Sequence, residues 1–351
     1  MSTSIEWTDA TWNPVTGCTK GSAGCKNCYA ETIANRRLPQ GGFTDRPFTE
    51  VRCHPERLDA PLHWRKPLKV FVNSMSDLFH EDVTDEFIES VFAVMALAPR
   101  HTFQILTKRP ERMLSWFTTM GGLEDRKTCV ERAIGHRTGN IFERITWPLP
   151  NVVLMVSAED QPRADERVPL LLQTPAAVRG VSYEPALGPV NFSRFLRGGK
   201  THHMQMSVSG ALRNKSFDAL QNDSGRELSR ERAEFELERL HAAGVKVIRA
   251  SKDCVGFNDQ TGCPGHDHPR LDWIVVGGES GPGARPFDVE WARNTITQCR
   301  EAGVACFVKQ LGRNPWGRDV LGRPTVPEIS DSKGGDPSEW PEDLRVREWP
   351  R

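Results

Sequence analysis

Six short apolar runs, each ending abruptly in polar residues, recur along the chain with helix-like stretches between them. They are KVFVNSMSDLF (69–79), TFQILTKRP (102–110), NVVLMVSAEDQ (151–161), AAVRGVSYEPALGP (176–189), LDWIVVGGESGPGARP (271–286) and ACFVKQLG (305–312). The cores VFV, VVLMV and WIVV are almost continuous and β-branched, as strands buried on both faces of a parallel sheet require. The segments between them read as helices. Thr84 caps a helix with Asp85 and Glu86 in its first turn and a stripe of Phe87, Ile88, Val91, Phe92 and Met95. Pro110 suits the first position of the next helix. Asp288 suits the cap of another that runs to Gly303. Strand then helix, repeated, predicts right-handed crossovers and an α/β fold with a parallel sheet. The first choice is a partial or full TIM-like βα barrel; an open doubly wound sheet is the second.

Two stretches break this rhythm. Residues 193–270 are too long for one crossover and read as an insertion on a barrel spanning 1–312. Residues 313–351, rich in Pro, Gly, Asp and Trp, read as an irregular C-terminal extension. The 351 residues carry no formal net charge, so no global field argues for nucleic acid or membrane. Arg100–Thr146 is locally basic, with nine Lys/Arg against five Asp/Glu, which is ordinary for a solvated face. No apolar run approaches the ~20 residues of a membrane helix. The first residues lack the pattern of a secretory signal, so a cytoplasmic protein is expected.

Nine cysteines are present, three of them within the eleven positions 18–28. Without a signal peptide a disulfide framework is not expected, and ligation is the better reading of the packed three. Cys129, Cys299 and Cys306 read as small buried hydrophobes. TWNPVTGCTKGSAGCKNCYAE places Cys18, Cys25 and Cys28 at C-x6-C-x2-C, a spacing that lets thiolates share one metal or one cluster. Gly17, Gly21 and Gly24 permit the tight turns of such a loop. A structural zinc wants a closed set of four ligands. Three suit a [4Fe–4S] cluster with one open iron. A zinc knuckle completed by a distant histidine or by the insertion is the competing arrangement.

GCKNCYAE (24–31) resembles the cluster loop of radical S-adenosylmethionine (radical SAM) enzymes, notably the spore photoproduct lyase-like branch. WNPVTGC, NSMSDLF, LTKRPERM, SYEPALGP, VVGGESGPGARP and VKQLG, in this order over residues 5–312, resemble a phage-associated, radical-SAM-like family of unknown function. The usual radical SAM loop is C-x3-C-x2-C; this one is three residues longer.

The resemblance implies a radical SAM barrel, a [4Fe–4S] cluster, S-adenosylmethionine and an electron donor such as flavodoxin or ferredoxin. It implies a nucleic-acid or nucleotide substrate. In parallel α/β folds ligands sit at the carboxyl ends of strands. There the resemblance places Ser76 or Asp77 at the methionyl amino group, and Ser157 and Glu159 at the ribose hydroxyls or the methionyl carboxylate. Gly277, Gly278 and Glu279 lie in GGESGPG, which resembles the glycine-rich motif that contacts methionine, although on a late strand rather than the second. Lys108 and Arg109 could pair with a carboxylate or phosphate. Glu184, Lys309 and Gln310 are left to face substrate. In the insertion, Cys254, Cys263, His266 and His268 form C-x8-C-x2-H-x-H, four ligand-capable residues in fifteen positions, and could bind zinc. The reading is a radical SAM-like enzyme. Its rivals are a zinc-stabilised nucleic-acid-binding protein without catalysis, and a cluster-bearing electron-transfer or sensor protein.

Overall fold

The computed structural model describes residues 3, 5–36, 46–118, 123–140, 144–196, 269–318, 321–326 and 328–350. The chain divides into one unit of residues 1–197 and 270–351 and a second of residues 198–269. The candidate zinc residues Cys254, Cys263, His266 and His268 lie outside the described residues.

Seven strands form one sheet: β1 (Ala10–Trp12), β2 (Lys69–Val72), β3 (Thr102–Thr107), β4 (Val152–Ser157), β5 (Val178–Tyr183), β6 (Trp273–Gly277) and β7 (Ala305–Gln310). They are all parallel, and they neighbour one another in chain order. An order without a reversal winds every crossover the same way, so the helices collect on one face and the sheet curls into a half-barrel. The doubly wound alternative needs a reversal of strand order, and the described strands show none. Six strands coincide with the apolar runs. The seventh, β1, is three residues long and broken by Thr11, so no run marks it.

The outer helices are α1 (Tyr29–Asn35), α2 (Asp85–Leu97), α3 (Pro110–Thr118), α4 (Leu123–Thr138), α5 (Gln161–Gln173), α6 (Ser193–Leu196) and α7 (Val289–Ala302). Local chemistry sets their ends. The Thr84 side chain accepts from Phe87 N–H to cap α2, and Asp288 accepts from Glu290 N–H to cap α7. Gly303, at φ 64°, closes α7 in the left-handed conformation. No helix among the described residues is long and apolar enough to cross a membrane.

Side chains alternate across the sheet. One set (Val70, Val72, Ile105, Leu154, Val156, Val181, Ile274, Val276) packs under the helices, with Cys299 and Cys306 among them as small buried hydrophobes. The other set fills the concave face: Phe71, Val153, Met155, Trp273, Val275 and Phe307, with Trp7 from the N-terminal segment. The tail is not merely laid on the surface. Val308 N–H donates to Val346 O and Glu348 N–H to Cys306 O, so its last residues pair with the outer edge of β7 and cover it. Trp349 then stacks on Trp273 at 5.0 Å and closes the concave core.

The basic stretch is neutralised in part. Arg126 is fully buried against Asp85 and Glu89 and lies over the Trp116 ring. Arg112 pairs with Asp85, and Arg137 with Asp59.

Candidate functional site

The carboxyl ends of β2, β3, β4, β5, β6 and β7 deliver their polar residues to one rim, and the cysteine loop lies across it. At the β2 end, Asp77 is 5% exposed and accepts four hydrogen bonds. These come from Phe79 N–H (3.0 Å), Thr107 Oγ1 (2.8 Å), Lys108 N–H (2.9 Å) and Arg109 Nη1 (3.3 Å). Its carboxylate is therefore committed to joining β2 to β3. Ser76 Oγ donates to Val15 O at 2.8 Å, which ties β2 to the start of the loop. The Asp77 carboxylate has thus no acceptor position left over for the amino group that the sequence resemblance assigned to Ser76 or Asp77, whereas the Ser76 oxygen, which gives away only its proton, can still accept one.

The next strands supply charge. Lys108 Nζ donates to Ser157 Oγ at 2.9 Å, joining β3 to β4. Glu159 is wholly buried and accepts from Ser22 Oγ of the cysteine loop and from Arg167 Nη1 of α5 (3.1 Å). Burial alone would raise its pKa. The charges of Lys108 and Arg167 and the Ser22 bond outweigh that, so it stays ionised below the usual carboxylate range. Glu184, beyond β5, accepts from Lys309 Nζ at 2.7 Å and Gln310 Nε2 at 3.3 Å, both from β7. These three form their own cluster on the rim.

Beyond β6, Glu279 holds a second fork to the loop. Arg285 donates to it through its backbone N–H and Nε (both 2.9 Å) and through Nη2 (2.5 Å). Asn27 Nδ2 reaches the same carboxylate at 3.0 Å, and Arg285 Nη1 donates to Ala23 O at 2.9 Å. These bonds outweigh burial and hold the Glu279 carboxyl below its ordinary pKa. Gly277 and Gly278 serve the strand pairing. A Cβ on Gly278 would stand 2.8 Å from the Leu311 carbonyl carbon, so glycine lets the ends of β6 and β7 approach.

The loop is thus fastened at three places: Thr19 and Cys18 to Arg109, Ser22 to Glu159, and Ala23 with Asn27 to Arg285 and Glu279. Of these partners, sequence reasoning singled out Arg109, Glu159 and Glu279. It missed Thr19, Ser22, Asn27, Arg167 and Arg285; the partners of the first three are remote in the chain, whereas Arg167 and Arg285 each bind a carboxylate within eight residues. Arg285 and Asn27 sit inside motifs already conspicuous in the sequence, and that was the available signal.

The seven described cysteines are free thiols. Cys18, Cys25 and Cys28 are half-buried, and Cys18 and Cys28 pack against Ala30, Ala34, Phe48 and Met75. Burial pushes the Cys18 thiol up to about 11; the Asp77 charge adds to this and Arg109 partly offsets it. Cys25 goes the other way. Burial would raise it, but the Lys108 charge and the backbone N–H groups of Gly21 and Ser22 bring it below the ordinary thiol value. In the reduced, metal-free protein, iodoacetamide should therefore modify Cys25 at lower pH than Cys18, read by peptide mass spectrometry. Cys18 reacting first would contradict this assignment of charges.

As a donor set the loop fits a cluster with three protein ligands. It offers three thiols of one short segment, with cations against two of them. Among the described residues, no group of three or more His, Cys, Asp and Glu side chains could hold a single metal ion. A separate cavity of about 670 Å³ opens at the amino ends of β6 and β7, lined in part by Arg270, Cys299, Cys306 and Trp349. It lies at the other end of the strands from the thiol loop.

These features define a class: a parallel half-barrel α/β protein with a thiol loop bound across the strand carboxyl ends. The chain belongs to the family described as "Protein of unknown function (DUF5131)", whose model matches residues 2–331. No curated protein and no solved structure matches it. None of these comparisons supports the resemblance to radical SAM enzymes and spore photoproduct lyase read from the sequence motifs.

Proposed function

We propose that the protein is a [4Fe–4S] enzyme of the radical SAM type, with Cys18, Cys25 and Cys28 as the cluster ligands. The observation that carries this reading is the placement of the loop. Three thiols with no fourth ligand in their segment are held over the carboxyl ends of a parallel half-barrel by Arg109, Glu159 and Glu279. A structural knuckle has no need of such a rim. A cubane also spaces its thiolates more widely than one zinc ion does, so the loop need not gather them around a single ion.

When bound, the cluster and S-adenosylmethionine supply reductive cleavage to methionine and a 5′-deoxyadenosyl radical, the electron coming from a donor such as flavodoxin or ferredoxin. The chain's own residues hold and shield that chemistry. Lys108 lowers the pKa of the Cys25 thiol, which makes it readier than Cys18 to bind iron. Arg285 and Asn27 fix the segment 23–27 so that Cys25 and Cys28 keep a constant separation. The Lys309–Glu184–Gln310 cluster and Lys108 are the rim groups we assign to substrate, and a nucleotide or nucleic acid fits their hydrogen-bonding capacity. The pairing of Arg112, Arg126 and Arg137 with carboxylates takes three cations of α3 and α4 away from a phosphate backbone, which favours a small or single-stranded substrate over a long duplex.

The test is anaerobic reconstitution, with assay of iron, sulfide and zinc, followed by reduction in the presence of S-adenosylmethionine. We expect about four irons per chain and 5′-deoxyadenosine as product. Iron and sulfide without that product would leave a cluster protein of electron-transfer or sensor type. Zinc bound at the three cysteines would reject the proposal.

A further inference from the structure

Arg109 stands at the crossing of every charged group around Cys18. Its guanidinium donates Nε to Glu81 Oε2 (3.1 Å) and Nη1 to Asp77 Oδ2 (3.3 Å). Nη2 donates to Thr19 Oγ1 (2.8 Å) and Thr19 O (3.4 Å). Nη1 also faces Cys18 Sγ at 3.6 Å, within hydrogen-bonding reach of a sulfur acceptor. Its backbone N–H is fixed as well, by Thr107 Oγ1 at 2.9 Å.

The far side of this arrangement is closed by His80, which is fully buried. Its Nδ1 accepts from Asp82 N–H at 3.2 Å, so the ring proton sits on Nε2, which donates to Thr19 Oγ1 at 2.8 Å. Thr19 Oγ1 therefore accepts from both Arg109 and His80. Two donors hold the residue next to Cys18 from one side, and the guanidinium holds Cys18 itself. Asp77 takes one of its four hydrogen bonds from this same Nη1, so the guanidinium is shared between that carboxylate and Cys18 and is held against both.

The geometry points to Arg109 as the positioning residue that sets the reduction potential of the group held at Cys18. This rests on the cluster reading above and adds to it the residue that tunes the site. An N–H donated to a ligand sulfur, from a fixed cation, stabilises the more negatively charged, reduced form of a cluster and raises its potential. Thr107, Thr19 and His80 keep the guanidinium in place, and Glu81, on the exposed side, moderates its charge.

The experiment is a potentiometric titration of the reconstituted full-length protein with dithionite, following the electron paramagnetic resonance signal of the reduced cluster. Arg109→Gln, which loses the charge, should shift the reduced-to-oxidised ratio at fixed potential at least tenfold towards the oxidised form. That corresponds to about 59 mV for a one-electron couple. Arg109→Lys, which retains a cation, should recover most of the shift. Glu81→Gln, a surface exchange that leaves the fold undisturbed, should move the ratio the opposite way and by less, because solvent screens that carboxylate. Opposite signs at the two positions are an electrostatic signature that a merely structural role would not produce. An unchanged potential in an iron-loaded Arg109→Gln protein, or equal shifts in Arg109→Gln and Arg109→Lys, would overturn the inference and leave the cluster reading intact. Should Arg109→Gln not fold, a Glu81→Gln potential that does not rise would overturn it. Wild-type protein that takes up no iron would overturn both.

Discussion

Asp77→Ala is expected to destabilise the half-barrel by about 3–5 kcal/mol, the range for breaking a buried ion pair by deleting one partner. The carboxylate takes hydrogen bonds from two backbone N–H groups, one hydroxyl and one guanidinium at the junction of β2 and β3. Its removal leaves Phe79 N–H and Lys108 N–H without acceptors in a place water reaches poorly, and each such orphan carries its own desolvation cost. Arg109 keeps Glu81 as a partner, which places the effect towards the lower end of the range. Asp77→Asn retains an acceptor oxygen and should lie between the two. Urea denaturation would show the loss as a lower midpoint with an unchanged slope. A midpoint within experimental error of wild type would mean that Asp77 does not join the strands, and would return it to the list of free ligand-binding groups.

That contrast shows what could be read in the sequence. The strands β2 to β7 were legible because burial on both faces writes itself as continuous apolar text, and the caps Thr84 and Asp288 because capping is local. The three thiols were legible because their spacing lies within one loop. Strand β1 was not, since three residues carry no periodicity. The role of Asp77 was hidden for a different reason. Polar residues at strand ends look alike whether they face a ligand or one another, and only the fold shows that Thr107 and Lys108 consume this carboxylate. The tail was opaque too: nothing in its composition foretells that Val346–Glu348 pairs with β7 or that Trp349 enters the concave core. Ser22 and Glu159 lie 137 residues apart, so their contact has no local signature at all.

That contact gives the second large effect. Gly24→Ala should abolish stable iron binding while leaving the fold of the half-barrel in place. A Cβ at position 24 would stand 2.6 Å from Cγ and 2.8 Å from Cδ of Glu159, closer than real Cβ contacts come. Glu159 cannot swing aside cheaply, because Arg167 and Ser22 hold it and it is wholly buried. The loop must lift instead, and Cys25, next to Gly24, moves with it. Overpacking of this kind costs about 1–3 kcal/mol. Here the cost falls on the seat of the loop, since the loop lies over the rim and contributes little to the core beneath. The mechanism is separable from a general intolerance of alanine by a double-mutant cycle. If the clash with Glu159 is the cause, Gly24→Ala introduced into Glu159→Ala protein should cost no further iron, because the obstructing side chain is gone. Iron content and melting temperature measured together would decide it. Retention of wild-type iron by Gly24→Ala, or an equal loss with and without Glu159, would show that the close approach of loop and strand end does not hold the thiols where the chemistry needs them.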